Sequence, residues 1–424
     1  MLLSECAWGR LEPGPAWAPV GRLAGDRPAG DPQLMTYRSF LDSFALPDDG
    51  GGGGSGDRRA SLDRGDRPDR KAARLDLKRR FTEPGHPGAM FRSVFDVLTA
   101  RLAALEEACC AGARAGTCAH GHAVLRPRVL PSFFNLLLHL QAQKRDFTII
   151  LRSFGTDLPA VVDEINRFAC GRHPAYPHAR LDGSDGRVDV RVPLPAAGGA
   201  FVRRSSRPDG SALLLGAPRA LLEAAKYGRA DLDAALAATP GARLLTSMPA
   251  IHAALAAPPL DGVSRALAVR DYYPFWRATG ESGRGGKLFT VEGEEGDAGD
   301  TRGADAAAAA TTAAPSADPP VSIFFDDNVG HTAANIVDAR SPLGRRIPFA
   351  DARAALVRVE PVGAILDDAF FVRAVHEASA AIAGRGRGRA SARGRELWRA
   401  VRARLLVVVR LRAAARQHGL AGGA

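Results

Sequence analysis

Pro320-Val321-Ser322-Ile323-Phe324-Phe325-Asp326-Asp327-Asn328 is the stretch on which the reading of the chain turns. A short apolar run ended abruptly by polar residues reads as a buried strand of a parallel sheet. Ligands of such sheets sit just past the carboxyl ends of the strands, where Asp326 and Asp327 fall. Two adjacent carboxylates repel each other, so a cation is the natural complement, and Mg²⁺ prefers oxygen ligands. Asp and Asn also favour turns, so a plain strand end followed by a solvated turn fits the same residues.

A second apolar run, Phe147 to Leu151, precedes it in the chain and reads as a strand by the same test. It stops at Ser153 and Gly155, and Asp157-Leu158-Pro159 then opens a helix, with Asp157 as N-cap and Pro159 in the first turn. A helix N-terminus aimed at a strand end suits an anion. Alternation at 183–216 with the turn Arg207-Pro208-Asp209-Gly210 marks an inserted antiparallel hairpin, and 242–246 reads as a further strand. Lys287 closes a Gly-rich run, 280–286, that lacks either nucleotide-loop spacing; the strand Leu288–Val291 follows. Residues 334–339 and 355–360 are short strands, and 367–383 is helical.

Helical periodicity marks residues 73–113, where Met90, Val94, Val97, Leu98, Leu102 and Leu105 form the apolar stripe, and residues 130–143. Together these make a helical insertion, 73–143. Arg270-Asp271-Tyr272-Tyr273-Pro274-Phe275-Trp276 is the densest aromatic cluster, suited to a packed loop or to a binding surface. Residues 48–72 and 292–319 are low-complexity and read as flexible loops. Residues 384–395 are a Gly/Arg tract, and 396–416 reads as a basic amphipathic helix; this tail, 384–424, is either a solvated product of biased composition or an RNA-binding segment.

The net charge is +11, but five of the 57 basic residues are Lys and the chain holds 46 Gly and 29 Pro, so composition bias accounts for much of it. Five cysteines, an odd number, argue against a disulfide framework and for a reducing, intracellular and cytoplasmic setting. Cys109, Cys110, Cys118, His120 and His122 cluster without the spacing of a zinc site. No run approaches the length of a membrane span, and no signal peptide is evident. The chain therefore reads as soluble, with no membrane partner.

The order of these pieces resembles the haloacid-dehalogenase-like superfamily: a strand ending in Ser153, a later Lys287, then a strand ending in Asp326-Asp327-Asn328. The wider pattern of SECAWG, RSFGTDLP, RDYYPFW and IFFDDN is similar to an uncharacterised eukaryotic group of it, over about residues 1–380. The resemblance implies an α/β Rossmannoid three-layer sandwich with a mostly parallel sheet, a helical N-terminal insertion and a small β-hairpin insertion. Its core would comprise 144–291 and 320–383, with 1–47 as a remnant of the same core. It implies a Mg²⁺-dependent phosphatase acting on a phosphorylated small molecule or protein. Ser153 would hold the phosphoryl group, Lys287 would neutralise charge, Asp326 and Asp327 would ligate the metal, and Gly155 and Asn328 would line the substrate.

The family's nucleophile motif, Asp-x-(Asp/Asn)-x-(Thr/Val), has no match in the chain. The expectation is that the first strand and its nucleophile are missing. Covalent phosphoryl transfer would then be lost, Mg²⁺ weakly held or absent, and two inner strands left facing an unpaired edge. A non-catalytic binding or scaffold protein retaining the fold is the alternative.

Overall fold

The structure, a computed structural model, describes residues 2–14, 16–23, 31, 33–45, 68–114, 127–203, 210–224, 239–256, 264–291, 321–330, 333–387 and 403–407. The chain falls into two compact units, one built from Met1–Ala108 with Glu360–Asp368, the other from Cys109–Val359 with Ala369–Arg410. Residues 1–47 thus group with the helical segment that follows them.

In the first unit α1 (Leu2–Cys6) leads directly into β1 (Ala7–Glu12), which pairs antiparallel with β2 (Ala16–Leu23) and β3 (Leu34–Thr36). α2 (Tyr37–Phe40), α3 (Pro68–Arg79) and α4 (Arg92–Arg114) follow. The loop expected over 48–72 therefore ends early, because Pro68 starts a helix; the part before it lies outside the described residues. The unit is held by aromatic packing. Trp17 meets Tyr37 edge-on at 5.1 Å, Phe81 lies 4.7 Å from Tyr37, and the Trp17 Nε1 donates to the Met35 carbonyl. The stripe expected on α4 is only partly inward: Leu98 is buried, whereas Val97 and Leu102, like Met90 just before the helix, are exposed.

The second unit is mixed α/β. α5 (Pro131–Ala142) precedes β4 (Phe147–Ser153), every residue of which is buried, and α6 (Leu158–Ala169). β5 (Gly198–Arg203) and β6 (Ser211–Leu215) form the antiparallel hairpin expected in this region. Then come α7 (Arg219–Ala224), β7 (Arg243–Leu245), α8 (Met248–Ala256), β8 (Ala266–Arg270), α9 (Tyr273–Ala278) and β9 (Lys287–Thr290). β10 (Val321–Asp326), β11 (Val337–Arg340), α10 (Phe349–Ala352) and β12 (Leu356–Arg358) complete the central part. α11 (Pro361–Leu366) belongs to the first unit; α12 (Phe370–Arg387) and β13 (Ala403–Val407) return to the second. No described helix is long and apolar enough to cross a membrane.

One sheet runs in the order β12-β10-β13-β4-β8-β5-β6-β7, parallel from β12 through β5 and antiparallel at β6 and β7. β9 and β11 form a separate parallel ribbon. Two expectations are overturned here. Residues 403–407, read as part of a basic helix, are a strand. That strand lies between β4 and β10, pairing with both over five residues, so the two inner strands have no open edge. Its backbone groups satisfy ladders that would otherwise be buried without partners. The remainder of the Gly/Arg tail beyond Arg387 lies outside the described residues.

Candidate functional site

β13 sets the level of the site. Val407 is in register with Leu151 on one side and Phe325 on the other. Ser153 therefore stands two residues past that level and Asp326 one residue past it. The two residues lie on strands separated by one other, about 10 Å apart by sheet spacing. Arg152 and Asp326 are level with each other and share a face of the sheet.

Ser153 is buried, and its hydroxyl both donates and accepts a hydrogen bond. Oγ donates to Asp157 Oδ1 at 2.8 Å and accepts the Gly155 N–H at 2.8 Å. Asp157 occupies the N-cap position of α6, but no side-chain capping bond forms, because its carboxylate turns back to the serine. A Cβ on Gly155 would fall 2.4 Å from that carboxylate, which accounts for the glycine.

Asp326 ends β10 with its side chain fully buried. Its Oδ2 accepts from Lys287 Nζ at 2.9 Å. Its Oδ1 accepts from the Asn328 N–H at 2.8 Å and from Asn328 Nδ2 at 3.2 Å; the same Nδ2 donates to Asp327 Oδ1 at 2.7 Å. Burial opposes the ionised form, yet Lys287, the Asn328 N–H and Asp327 hold the Asp326 carboxyl below the usual carboxylate range. Lys287 comes from the first residue of β9 and is itself fully buried. Its Nζ also lies 5.1 Å from the centre of the Phe154 ring, which stacks on Trp276 at 5.1 Å. Lys287 thus bridges the residue after Ser153 to Asp326. The glycines before it permit the approach: a Cβ on Gly286 would meet the Ile336 carbonyl oxygen at 2.2 Å.

The sequence reading missed three charged groups nearby. Arg152 binds Asp271 through Nε at 3.0 Å and through Nη2, donates Nη1 to the Leu288 carbonyl and lies over the Phe201 ring. Both partners are buried. Arg270 ends β8, in register with Ser153, and donates Nε to the Leu222 carbonyl. Its two terminal nitrogens are buried without a hydrogen-bond partner. Burial pulls its pKa down to about 10, against the pull of Asp157, Asp271 and Glu223. Of the aromatic cluster only Trp276 is buried, against Phe154; Tyr272, Tyr273 and Phe275 are half-buried, and Arg203 lies 5.2 Å from the Phe275 ring centre.

The donor set does not fit Mg²⁺ as it stands. Both oxygens of Asp326 are engaged, one by an ammonium group, and Mg²⁺ would have to displace it. No group of three or more His, Cys, Asp or Glu side chains among the described residues is arranged to hold a metal ion. Cys109 is buried, and Cys118, His120 and His122 lie outside the described residues. Comparison with family models, curated proteins and solved structures found no match.

Proposed function

We propose that this chain is a haloacid-dehalogenase-like protein of Rossmannoid three-layer form, a phosphatase-type hydrolase by ancestry, which binds a phosphorylated ligand without turning it over. The observation that carries this reading is the closed Lys287–Asp326 pair, fully buried at 2.9 Å. A carboxylate spent on a lysine and on Asn328 supplies neither a metal ligand nor a free base. The neighbouring strand adds no nucleophile: after Val407 the sequence continues Val408-Val409-Arg410, with no carboxylate, hydroxyl or thiol. Covalent phosphoryl transfer needs one. Donors for an anion remain: the terminal nitrogens of Arg270 beside the Ser153 turn, and the N-terminal end of α6. Phosphate recognition and phosphate hydrolysis are in this way separated.

The test is an assay of the full chain with an aryl phosphate and Mg²⁺, run beside calorimetry with the same ester in the absence of Mg²⁺. Expected are no turnover above buffer, no change in that result with Asp326→Asn, and binding weakened by Ser153→Ala, which frees Asp157. Mg²⁺-dependent release of phosphate that Asp326→Asn abolishes would overturn the non-catalytic reading. Absence of ester binding would overturn the ligand class.

A further inference from the structure

Farther along α6, Glu164 is fully buried and paired with His173, equally buried, from the turn that follows the helix. Glu164 Oε2 accepts two successive backbone N–H groups, from Arg128 at 2.5 Å and Val129 at 3.2 Å, where the chain leads into α5. Its Oε1 lies 3.4 Å from His173 Nε2. The other ring nitrogen, Nδ1, accepts the Ala175 N–H at 3.2 Å. That bond fixes the tautomer: the imidazole hydrogen sits on Nε2 and points at Glu164. Aromatic rings flank the imidazole, Phe134 edge-on at 5.0 Å and Tyr176 at 5.3 Å.

With one titratable hydrogen, on Nε2, each donor of this network faces an acceptor. A second hydrogen has three places to go, and each sets a donor against a donor. On Nδ1 it faces the Ala175 N–H. On Oε2 it faces the N–H groups of Arg128 and Val129. On Oε1 it faces the Nε2 hydrogen, unless the ring hydrogen shifts to Nδ1, and then Ala175 again loses its acceptor. Two of the three routes thus end on Ala175, and the 3.4 Å contact that stands in their way is longer than a normal hydrogen bond. Uptake is nevertheless favoured, because burial raises the Glu164 carboxyl above its ordinary range, against the pull of His173 and the two N–H groups. From α5 the pair is faced by the Phe134 ring, and from the turn after α6 by Tyr176, whose hydroxyl donates to the Pro131 carbonyl at 3.4 Å. The neighbouring Asp163 on α6 is paired with Arg219 of α7 at the surface. Since the folded value lies above the unfolded one, this proton favours the folded chain toward acid, and that contribution is lost as pH rises through the folded value. Its uptake therefore loosens one turn without starting acid unfolding.

We infer that Glu164 and His173 form a proton-operated switch on the turn from His173 to Tyr176: with one hydrogen the pair holds the turn through the Ala175 N–H, and with two it lets that N–H go. The step balances. Nε2 passes its hydrogen to Oε1, the proton from solvent ends on Nδ1, and the bond broken is the one from the Ala175 N–H. Oε2 keeps the entry to α5 fastened in both states. The switch uses none of the residues assigned to phosphate.

The test is residue-resolved amide exchange of the full chain from about pH 8 to about pH 5, with each rate corrected for the intrinsic chemistry of exchange. Protection of the Ala175 amide is expected to fall about tenfold toward acid, the loss of one backbone hydrogen bond. Arg128, Val129 and the strand Phe147–Ser153 should keep theirs. Isotopic labelling of the histidine nitrogens reads the tautomer: Nδ1 of His173 is expected bare at the alkaline end and protonated at the acid end, in step with Ala175. Glu164→Gln copies the protonated carboxyl, its oxygen toward Arg128 and Val129 and its amide toward the ring. It should expose Ala175 at every pH and abolish the dependence. Constant protection at Ala175, with Nδ1 bare throughout, would overturn the switch. So would a loss at Ala175 shared by Phe147–Ser153, which is general unfolding, or a loss confined to Arg128 and Val129, which places the proton on Oε2. The wild-type scan decides the matter by itself should Glu164→Gln not fold.

Discussion

At the scale of single residues, the Lys287–Asp326 pair is one of the buried ion pairs of the second unit. Both side chains are fully buried, so removing either leaves the other as an uncompensated charge, costing about 3–5 kcal/mol. Lys287→Met and Asp326→Asn should each lower stability by about that much in urea unfolding, and the double variant should cost clearly less than the sum. Additive losses would show that the pair is not coupled. Acid supplies an independent check. The folded carboxyl of Asp326 titrates below its unfolded value of about 3.9, so its contribution is complete above that pH and is lost as pH falls through the lower folded value. Asp326→Asn should remove that loss below about pH 4. Asp326 and Ser153 stood out because they are polar residues that end apolar runs, whereas Lys287, which follows a Gly-rich run, was picked out by the resemblance. Arg152, Asp271, Arg203 and Asp338 were not, although a signal existed: a charged residue placed inside or directly after an apolar strand, as in ILRS or IVDA, has to find a buried partner. Which partner it finds depends on strands more than a hundred residues apart, as Arg152 and Asp271 show.

At the scale of elements, Ala403–Val407 has the greatest consequence. It is a short strand that fills the gap between two wholly or mostly buried strands. Its local sequence fits a basic helix as well as a strand, because Arg residues flank a run of Leu and Val on both sides. What decides is remote: β4 and β10 each present an unpaired ladder, and only a strand satisfies both. The apolar runs of β4 and β10 were legible by contrast because their composition excludes a solvated helix face. A chain ending at residue 402 should therefore be poorly soluble and lose amide protection along Phe147–Ser153 and Val321–Asp326. Leu405→Pro, which removes one ladder donor, should give a milder form of the same defect. Unchanged exchange in β4 after truncation would mean that the slot does not depend on this segment.

At the scale of the whole molecule, the chain crosses between its two units three times among the described segments, at 108, 359 and 368. Neither unit is a continuous piece of sequence, which is why composition shifts at the low-complexity loops do not mark the division. The stretch Glu360–Asp368 is the short return into the first unit, and α11 within it buries Val362, Ala364 and Ile365. Arg101 on α4 adds a polar contact to it. Its Nη1 donates to the Leu366 carbonyl at 2.6 Å, satisfying a helix-end acceptor, and its Nη2 binds Asp368. The ion pair is exposed and worth little by itself, so the carbonyl bond, partly buried, carries most of the effect. Arg101→Ala should cost about 1 kcal/mol locally, which makes amide exchange in 361–368 roughly fivefold faster. Exchange in β4 should not change, because opening a nine-residue return segment need not open the sheet. Faster exchange in both places would mean that the return segment and the sheet open as one cooperative body; no change in either would mean that α11 is held by its apolar face, through Val362 and Ile365, and that the arginine is incidental.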